Sequence, residues 1–361
     1  SEMCIRDSYI RDRWDDLTGS PWWYRHAPNI ERQLAWRQRV IARLGLDWME
    51  LPFCTPRAER EVLAVEERTD GVFVVNRQTG QARRLEREAV GGWSEPYARP
   101  AQAVPALPES REQIEAEIPL PGEFDPAEIL TSGRADLAQA LLRATANSIF
   151  PIVHVSAPLW DCYNRWGFEG MMVMVAERPD LVEYACDRRL EGVLRDVQAA
   201  AALGADGIWI EDCMTDMVSP AAFARLNVPF LRRLTEGIRA LGMRSIHYFC
   251  GNPSGKWDLL LATGADALAL EEGKKGFEIN IEEVVERVGG RCTVLGNLDA
   301  IHLLEQGSED ELRREIERQI RAGRRNGSRF IMSIGSPVTP GTPPARVRLY
   351  CDLAHELGSR G

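Results

Sequence analysis

The residue types best suited to chemistry lie together at residues 244–252, which read Arg-Ser-Ile-His-Tyr-Phe-Cys-Gly-Asn. The apolar pattern predicts a strand that ends near His247, with Cys250 in the loop that follows. An imidazole nitrogen and a thiolate sulfur are ligands that zinc accepts readily. Gly251 and Asn252 permit a sharp turn, so we expect both side chains to face one point. The alternative is structural, a buried cysteine and a hydrogen-bonded histidine at a strand end.

The elements that must position these residues alternate regularly from about residue 149 onward. Apolar strand candidates are predicted at 149–155, 206–210, 244–248, 266–270, 292–295 and 329–333. Helical patterns are predicted at 180–203, 220–241, 256–263, 280–288, 308–325 and 344–357. Such alternation is typical of a parallel sheet with right-handed crossovers. With one or two further units from the first third, it predicts an α/β fold of the TIM-type (β/α)8 barrel class. A doubly wound open sheet is the second interpretation, weakened because no Gly-rich phosphate loop follows an early strand.

The first third of the chain is irregular. Residues 1–12 are predicted to form a loose tail, and residues 28–45 an amphipathic helix that ends at a glycine. Residues 62–127 combine a β-hairpin or small meander with a connection rich in proline and glutamate. We therefore expect a single barrel domain over residues 13–361, with this insertion packed over it.

The composition and charge of the chain exclude some classes of protein and favour others. The net charge of −10 and the pI of about 5.3 argue against a nucleic-acid binder, which would show a basic face. No run of eighteen apolar residues occurs, and the N-terminus lacks the apolar core of a signal peptide. The eight cysteines are scattered, which is typical of reduced thiols in a cytoplasmic protein. The expected partner is a small-molecule substrate, with no nucleic acid and no membrane.

Polar residues that follow the predicted strands are the remaining candidates, because chemistry in a barrel lies at the carboxyl ends of its strands. Glu211 is a candidate metal ligand, and Asp212 and Asp299 are candidate acids or bases. Each has an alternative role as a helix cap. The candidates for substrate binding are Asn252, Asn297 and Ser336.

Two other polar stretches have competing interpretations. Glu271 and Glu272 are expected to be a solvated pair beside two lysines. The stretch Pro-Trp-Trp-Tyr-Arg-His at residues 21–26 offers Arg25 as an anchor for a carboxylate or phosphate at the mouth of a pocket. Its alternative role is a packed N-terminal lid.

An ordered set of segments over residues 150–357 resembles the uroporphyrinogen decarboxylase superfamily, which includes corrinoid- and coenzyme-M-linked methyltransferases. The resemblance implies a TIM-type barrel. The segments that carry it, in chain order, are Gly204-Ala205-Asp206-Gly207-Ile208, Glu211-Asp212, Ser219-Pro220, Pro229, His247 with Cys250-Gly251-Asn252, Thr263-Gly264-Ala265-Asp266, Gly296-Asn297-Leu298-Asp299, and residues 331–336 followed by Thr339-Pro340-Gly341-Thr342-Pro343.

The two branches of this superfamily differ in their motifs. The decarboxylases carry an N-terminal Arg-Gln-Ala-Gly-Arg segment that holds substrate carboxylates, and the nearest stretch here, residues 24–27, does not match it. In the methyltransferase branch a His-x-Cys pair and a later cysteine hold a zinc ion that activates a thiol. This chain has His-x-x-Cys spacing, and Ser336 stands at the later cysteine. The resemblance therefore implies His247 and Cys250 as zinc ligands, with Glu211 or Asp212 as an oxygen ligand.

Three functions follow from the residues and the resemblance. The first is a zinc-dependent methyltransferase that moves a methyl group between a corrinoid on a partner protein and a thiol or other small acceptor. The second is a decarboxylase-like lyase in which Asp212 or Asp299 protonates the product of CO2 loss. The third is a non-catalytic corrinoid- or tetrapyrrole-binding protein, because a fold does not fix a function. Residues 50–127 are open to three interpretations, a lid, a docking surface for a corrinoid protein, or a homodimer contact.

Overall fold

The computed structural model describes residues 5–87, 106–146, 148–273 and 276–359, and its central feature is a parallel sheet of seven strands. The described strands are β1 (Trp48–Glu50), β2 (Leu63–Arg68), β3 (Gly71–Asn76), β4 (Ala82–Leu85), β5 (Phe150–Ser156), β6 (Gly207–Cys213), β7 (Arg244–Cys250), β8 (Ala267–Leu270), β9 (Thr293–Leu295) and β10 (Phe330–Ile331). The parallel sheet has the order β1-β5-β6-β7-β8-β9-β10, while β2, β3 and β4 form a separate antiparallel meander.

Helices connect the parallel strands and cover the outside of the sheet. The described α-helices are α1 (Ile5–Asp12), α2 (Trp14–Thr18), α3 (Ile30–Leu44), α4 (Arg57–Val62), α5 (Arg111–Glu117), α6 (Pro126–Thr131), α7 (Asp136–Thr145), α8 (Pro158–Glu177), α9 (Pro179–Leu203), α10 (Pro220–Leu226), α11 (Val228–Ala240), α12 (Trp257–Ala262), α13 (Ile281–Val288), α14 (Glu309–Arg324) and α15 (Pro344–Gly358). None of them combines the length and the apolar character needed to span a membrane.

The strands are apolar on both faces, because the sheet curls around one cluster and is covered by others. Alternate residues of the strands, among them Ile152, Ile246 and Leu295, meet in an inner cluster with Trp48 and Trp209. The residues between them pack outward against the helices in two larger clusters. Successive side chains of a strand point to opposite faces, so each strand contributes to both layers.

The predicted fold class is confirmed, since consecutive parallel strands pair in chain order around a common interior. The described sheet has seven strands, one fewer than a complete (β/α)8 barrel. Two boundaries differ in a way that matters below, because β6 and β7 continue to Cys213 and Cys250. The predicted helix at 220–241 is two helices separated at Asn227, since Pro229 disfavours a helical conformation in the residues before it.

The N-terminal third packs onto the barrel more tightly than expected. Helix α1 begins at Ile5, within the predicted loose tail, and Tyr9 is buried with its hydroxyl donating to the carbonyl of Thr342 (2.9 Å). The predicted helix α3 is confirmed, with Asn29 as its N-cap. The meander is also confirmed, and it packs against Trp23. Part of the Pro- and Glu-rich connection, at 88–105, lies outside the described residues.

Candidate active site at the carboxyl end of the barrel

His247 and Cys250 project to opposite faces of β7. Cys250 shares the inner face with Tyr248, which belongs to the inner cluster, whereas His247 shares the outer face with Phe249, which packs among the helices. The rings of His247 and Phe249 lie 6.4 Å apart, edge to face. Because the strand continues through Cys250, three residues of separation place the two side chains on different sides of the sheet. The structure therefore does not bring this pair together.

The outer side chains form a buried polar network behind the sheet. Nε2 of His247 lies 3.0 Å from Oδ2 of Asp212, and the amide of Asn227 donates to the same oxygen (2.8 Å). All three side chains are fully buried. Buried polar groups are stable only when they are hydrogen-bonded. The geometry places His247 and Asp212 together outside the barrel interior, and within the described part of the chain Nδ1 of His247 and Oδ1 of Asp212 are buried without a hydrogen bond.

The predicted zinc ligands do not fit a zinc ion in this arrangement. A catalytic zinc requires three protein ligands that converge on one point. Glu211 and Cys250 are inner residues, but His247 is separated from them by the sheet itself. Ser336, at the position of the second cysteine, offers a poor ligand. Across the described ranges, no three His, Cys, Asp or Glu side chains are grouped so that they would hold a metal ion.

The inner positions at the carboxyl ends of β6 and β7 bring a carboxyl group, a phenol and two thiols close together. Glu211 is the register partner of Tyr248, and Cys213 is the register partner of Cys250. The two cysteine Cα atoms are therefore roughly one strand spacing apart, about 4.8 Å. Burial raises the pKa of Tyr248, and the nearby cysteines and the carboxylates of the β8 end raise it further. Tyr248 is held as a neutral phenol, with its hydroxyl 3.5 Å from the carbonyl oxygen of Gly335.

Glu271 and Glu272, which follow β8, are buried rather than solvated. Each is only 4% exposed, so the prediction of a solvated pair is wrong. The two lysines that prompted it, at 274–275, lie outside the described residues. The segment after β10 packs directly on this pair, since a Cβ at Gly335 would come within 2.4 Å of the backbone nitrogen of Glu272. Glutamate side chains are almost never buried to this depth unless they are paired, so the end of β8 is a candidate functional position.

An aromatic wall lines the interior below these acids. Trp209 contacts Trp48 (5.3 Å between ring centroids), His154 (5.7 Å, stacked) and Tyr248 (5.1 Å). Sequence reasoning missed this wall. The signal was present, because alternation along the strand places Trp209 on the same face as Glu211.

Asp216 organises the loop after β7, and sequence reasoning also missed it. Its Oδ2 accepts a hydrogen bond from the backbone amide of Asn252 (3.0 Å), and its carbonyl accepts one from the ammonium of Lys256 (3.0 Å). Gly251, which precedes Asn252, has a φ of 135°, and a Cβ at this position would lie 2.2 Å from the carboxyl carbon of Asp216. Asn252 uses its own side chain oxygen to accept from the amide of Ser254 (2.9 Å), so it shapes the turn.

Two further predicted site residues have structural partners. The amide of Asn297 donates to the carbonyl oxygens of Ile279 (2.8 Å) and Glu271 (3.2 Å), which fixes the segment after β8. Asp299 caps the short helical segment Ala300–Glu305. Partial burial raises the pKa of Asp299, but hydrogen bonds from the His302 ring and from two backbone amides outweigh it and leave the pKa below its ordinary value. Asp299 is consequently a poor proton donor.

The last two predicted residues lie apart from each other. Ser336 is buried beside Gly335 at the carboxyl end. Arg25 borders a recess of only about 20 Å³ with Trp22 and His26, too small for a substrate. Thus Glu211, Cys250, Asn297 and Ser336 lie at the carboxyl-end rim, while His247 and Asp212 lie behind the sheet.

Comparison with known proteins agrees with this architecture. The family model described as uroporphyrinogen decarboxylase (URO-D) matches residues 152–357. The chain is 28% identical over 193 residues to uroporphyrinogen decarboxylase from Neisseria gonorrhoeae strain NCCP11945, covering 53% of this chain and 52% of the relative. It is 25% identical over 239 residues to uroporphyrinogen decarboxylase from Xanthomonas campestris pv. campestris strain B100, covering 62% and 65%. The chain thus spans about half to two thirds of the length of these curated relatives.

A solved structure, a methyltransferase from Methanosarcina mazei, superposes with a TM-score of 0.63 at 19% identity, over 96% of this chain and 90% of the other. At that identity the likeness concerns the fold, and it supports the barrel assignment over nearly the whole chain. The family match, by contrast, covers more than half of the sequence and includes every strand from β6 onward. This chain belongs to the uroporphyrinogen decarboxylase family.

Proposed function

We propose that the protein is a methyltransferase of this family, which moves a methyl group between a small neutral or cationic molecule and a corrinoid carried by a partner protein. The observation that carries the proposal is the aromatic wall at the carboxyl end, where the rings of Trp209 and Tyr248 lie 5.1 Å apart. Glu211, Glu271 and Glu272 are buried at the same end.

Arg25, the cation predicted to anchor a carboxylate or phosphate, borders a shallow recess and not the carboxyl-end rim. The position of Arg25 therefore gives no support to a polycarboxylated tetrapyrrole as the substrate.

The aromatic wall supports the same class of substrate. The faces of Trp209 and Tyr248 attract methylated ammonium groups and other methyl groups made electron-poor by a heteroatom. Tyr248 keeps its proton and can donate a hydrogen bond to that heteroatom. When a thiol or amine accepts a methyl group it loses a proton, and the carboxylate of Glu211 or Glu271 accepts that proton; in the reverse direction the protonated carboxyl group returns it.

Zinc remains a separate prediction, because the described residues do not fit it and no step is assigned to it. In the related branch zinc supplies thiol activation. Elemental analysis of the wild type, Cys250→Ala and a Cys292→Ala control tests the prediction. About one zinc per chain that disappears only with Cys250 would support it. Equal metal content in all three proteins would contradict Cys250 as a ligand.

The decisive experiment is a methyl-transfer assay with methylcobalamin and a panel of small thiols and amines, followed by absorbance of the corrinoid. We expect turnover that falls roughly 10²-fold or more in Glu271→Gln, the size expected for loss of a proton-transfer group. Glu317→Gln, an exposed glutamate on α14, is the matched control. Absence of transfer, together with CO2 release from uroporphyrinogen, would overturn the proposal.

The second candidate is the carboxy-lyase, favoured by the curated relatives, which are named uroporphyrinogen decarboxylase. The two acids predicted for it are poorly placed, since Asp212 lies behind the sheet and Asp299 caps a helix. If neither reaction occurs but a corrinoid or tetrapyrrole binds, the non-catalytic interpretation is the one that remains.

A further inference from the structure

A cavity lies at the amino end of the barrel, where the strands begin. Its volume is about 610 Å³, within the range typical of small-molecule sites. Residues from the starts of β5, β7, β8, β9 and β10 line it. Arg244 and Cys250 stand at the two ends of β7, so the cavity is roughly 20 Å from the carboxyl-end site at ~3.3 Å per residue.

Four arginines surround this cavity, Arg239, Arg244, Arg291 and Arg329, against a single acid, Asp266. The chain as a whole carries a net charge of −10, so a local excess of positive charge runs against its average. Arg239 and Arg244 both form long ion pairs with Oδ1 of Asp266, at 3.9 and 3.6 Å, so two guanidinium groups share this one carboxylate. Asp266 is already occupied, because its Oδ2 accepts hydrogen bonds from the backbone and the hydroxyl of Ser245.

Backbone carbonyls, which carry no net charge, hold three of the four arginines in place. Arg239 donates to the carbonyl of Gly264 (2.7 Å), Arg291 to that of Val288 (2.9 Å) and Arg329 to that of Gly290 (2.8 Å). Each guanidinium has five N–H donors in a rigid fork. These contacts therefore orient the groups and leave donors for an anion.

The floor of the cavity is apolar. Phe150 and Ile331 line it and are 37% and 48% exposed, which is unusual for large hydrophobic side chains at a barrel end. Ile246 lies deeper between them. A pocket that joins an apolar floor to several cationic donors suits a ligand that is both apolar and anionic.

We propose that this amino-end cavity binds a small organic anion with at least two negative charges and an apolar body, such as a phosphorylated or polycarboxylated metabolite. The site is separate from the carboxyl-end site and does not depend on the function proposed for it. In barrels of this type the amino end contributes to stability and is not the seat of catalysis. The bound anion is therefore a ligand and not the reacting substrate.

The test uses 8-anilinonaphthalene-1-sulfonate as an apolar anionic probe and inorganic pyrophosphate as a competitor, on the full chain. We expect saturable 1:1 fluorescence enhancement, displacement by pyrophosphate, and at least tenfold weaker binding in Arg244→Gln/Arg329→Gln. Arg225→Gln/Arg321→Gln is the charge-matched control, because both arginines lie in exposed ion pairs elsewhere, and it should bind within about twofold of the wild type.

Cys292, which lines the same cavity, supplies a readout that does not require a variant. Saturating probe should slow the alkylation of Cys292 in the wild type at least fivefold, whereas Cys351, which does not line the cavity, should react as before. Equal affinity in the cavity and control variants, or unchanged alkylation of Cys292 with bound probe, would overturn the proposal. The alkylation arm decides the matter if the double variant does not fold.

Discussion

The two ends of the barrel hold their charged side chains at different depths. On β7, the side chain of Arg244 is 70% exposed at the amino end, while Cys250 is only 7% exposed at the carboxyl end. The carboxyl end buries Glu271 and Glu272 beside thiols and a phenol, whereas the amino end displays its arginines around an open cavity. Burying charge is costly, so the comparison indicates that the carboxyl end is organised for chemistry and the amino end for binding.

The largest expected effect is at the buried network behind the carboxyl end. Replacing His247 with Ala leaves the buried Asp212 with one partner fewer and opens a cavity, so we expect a loss of ~3–5 kcal/mol in the free energy of unfolding. Urea denaturation measures it. Arg244→Gln, at the exposed start of the same strand, is the control and should change stability by less than ~0.5 kcal/mol. Equal losses of unfolding free energy in His247→Ala and Arg244→Gln would contradict the proposed difference between the two ends of the barrel.

A medium effect is expected at Gly335, where the loop after β10 packs on the buried carboxylates. An added methyl group would press on the backbone of Glu272, so Gly335→Ala should cost ~1–3 kcal/mol, as overpacking does. It should also lower methyl-transfer activity, because Tyr248 and Glu271 would move. Gly358→Ala, where a Cβ meets nothing within 4 Å, is the control. Thermal melting and the methyl-transfer assay together test this, and a wild-type melting curve for Gly335→Ala would contradict it.

The smallest expected effect is on the alkylation rate of Cys292, which reports the influence of the amino-end arginines on this thiol. Burial raises the pKa of Cys292 to about 11, against the lowering effect of Arg291 and Arg329. Because the thiolate is the reactive form, alkylation should accelerate about tenfold per pH unit up to about pH 11. Arg329→Gln removes one positive charge, raises the pKa further and should slow the reaction a few-fold at pH 8.5. Mass spectrometry of the Cys292 peptide measures the rate, and acceleration in Arg329→Gln would show that the arginines do not act on this thiol.

Much of the fold could be predicted from local patterns. Each strand and helix from β5 onward was predicted within a few residues, except α8 and the break between α10 and α11, because apolar periodicity and cap residues are local signals. Before β5, only α3 and the meander of β2, β3 and β4 were predicted, and α1, α2, β1 and α4 to α7 were missed. Tyr9 in α1 is buried by contact with Thr342, more than 300 residues away, and β1 is only three residues long.

The site was predicted less well than the fold. Residues inside a strand must alternate between the two faces of the sheet, whereas residues in the loop after it need not, so the position of the strand end determines where their side chains point. The sequence was interpreted with strands ending at 210 and 248, which left Glu211, Asp212 and Cys250 free to turn toward one point. With β6 and β7 extended to Cys213 and Cys250, alternation sends Asp212 and His247 outward and keeps Glu211 and Cys250 inside. An extension of two or three residues is within the uncertainty of any strand boundary.

Taken by itself, the sequence determined the parallel α/β architecture, the family resemblance and the rim positions of Glu211, Cys250, Asn297 and Ser336. These depend on periodicity and motif order, which are properties of neighbouring residues. The burial of Glu271 and Glu272 is seen only in the tertiary structure. The position of the amino-end arginines around one cavity is also seen only there. The four arginines come from three separate parts of the chain, Arg239 with Arg244, then Arg291, then Arg329, so no local pattern marks them as a group. Their proximity is set by the pairing of strands distant in sequence.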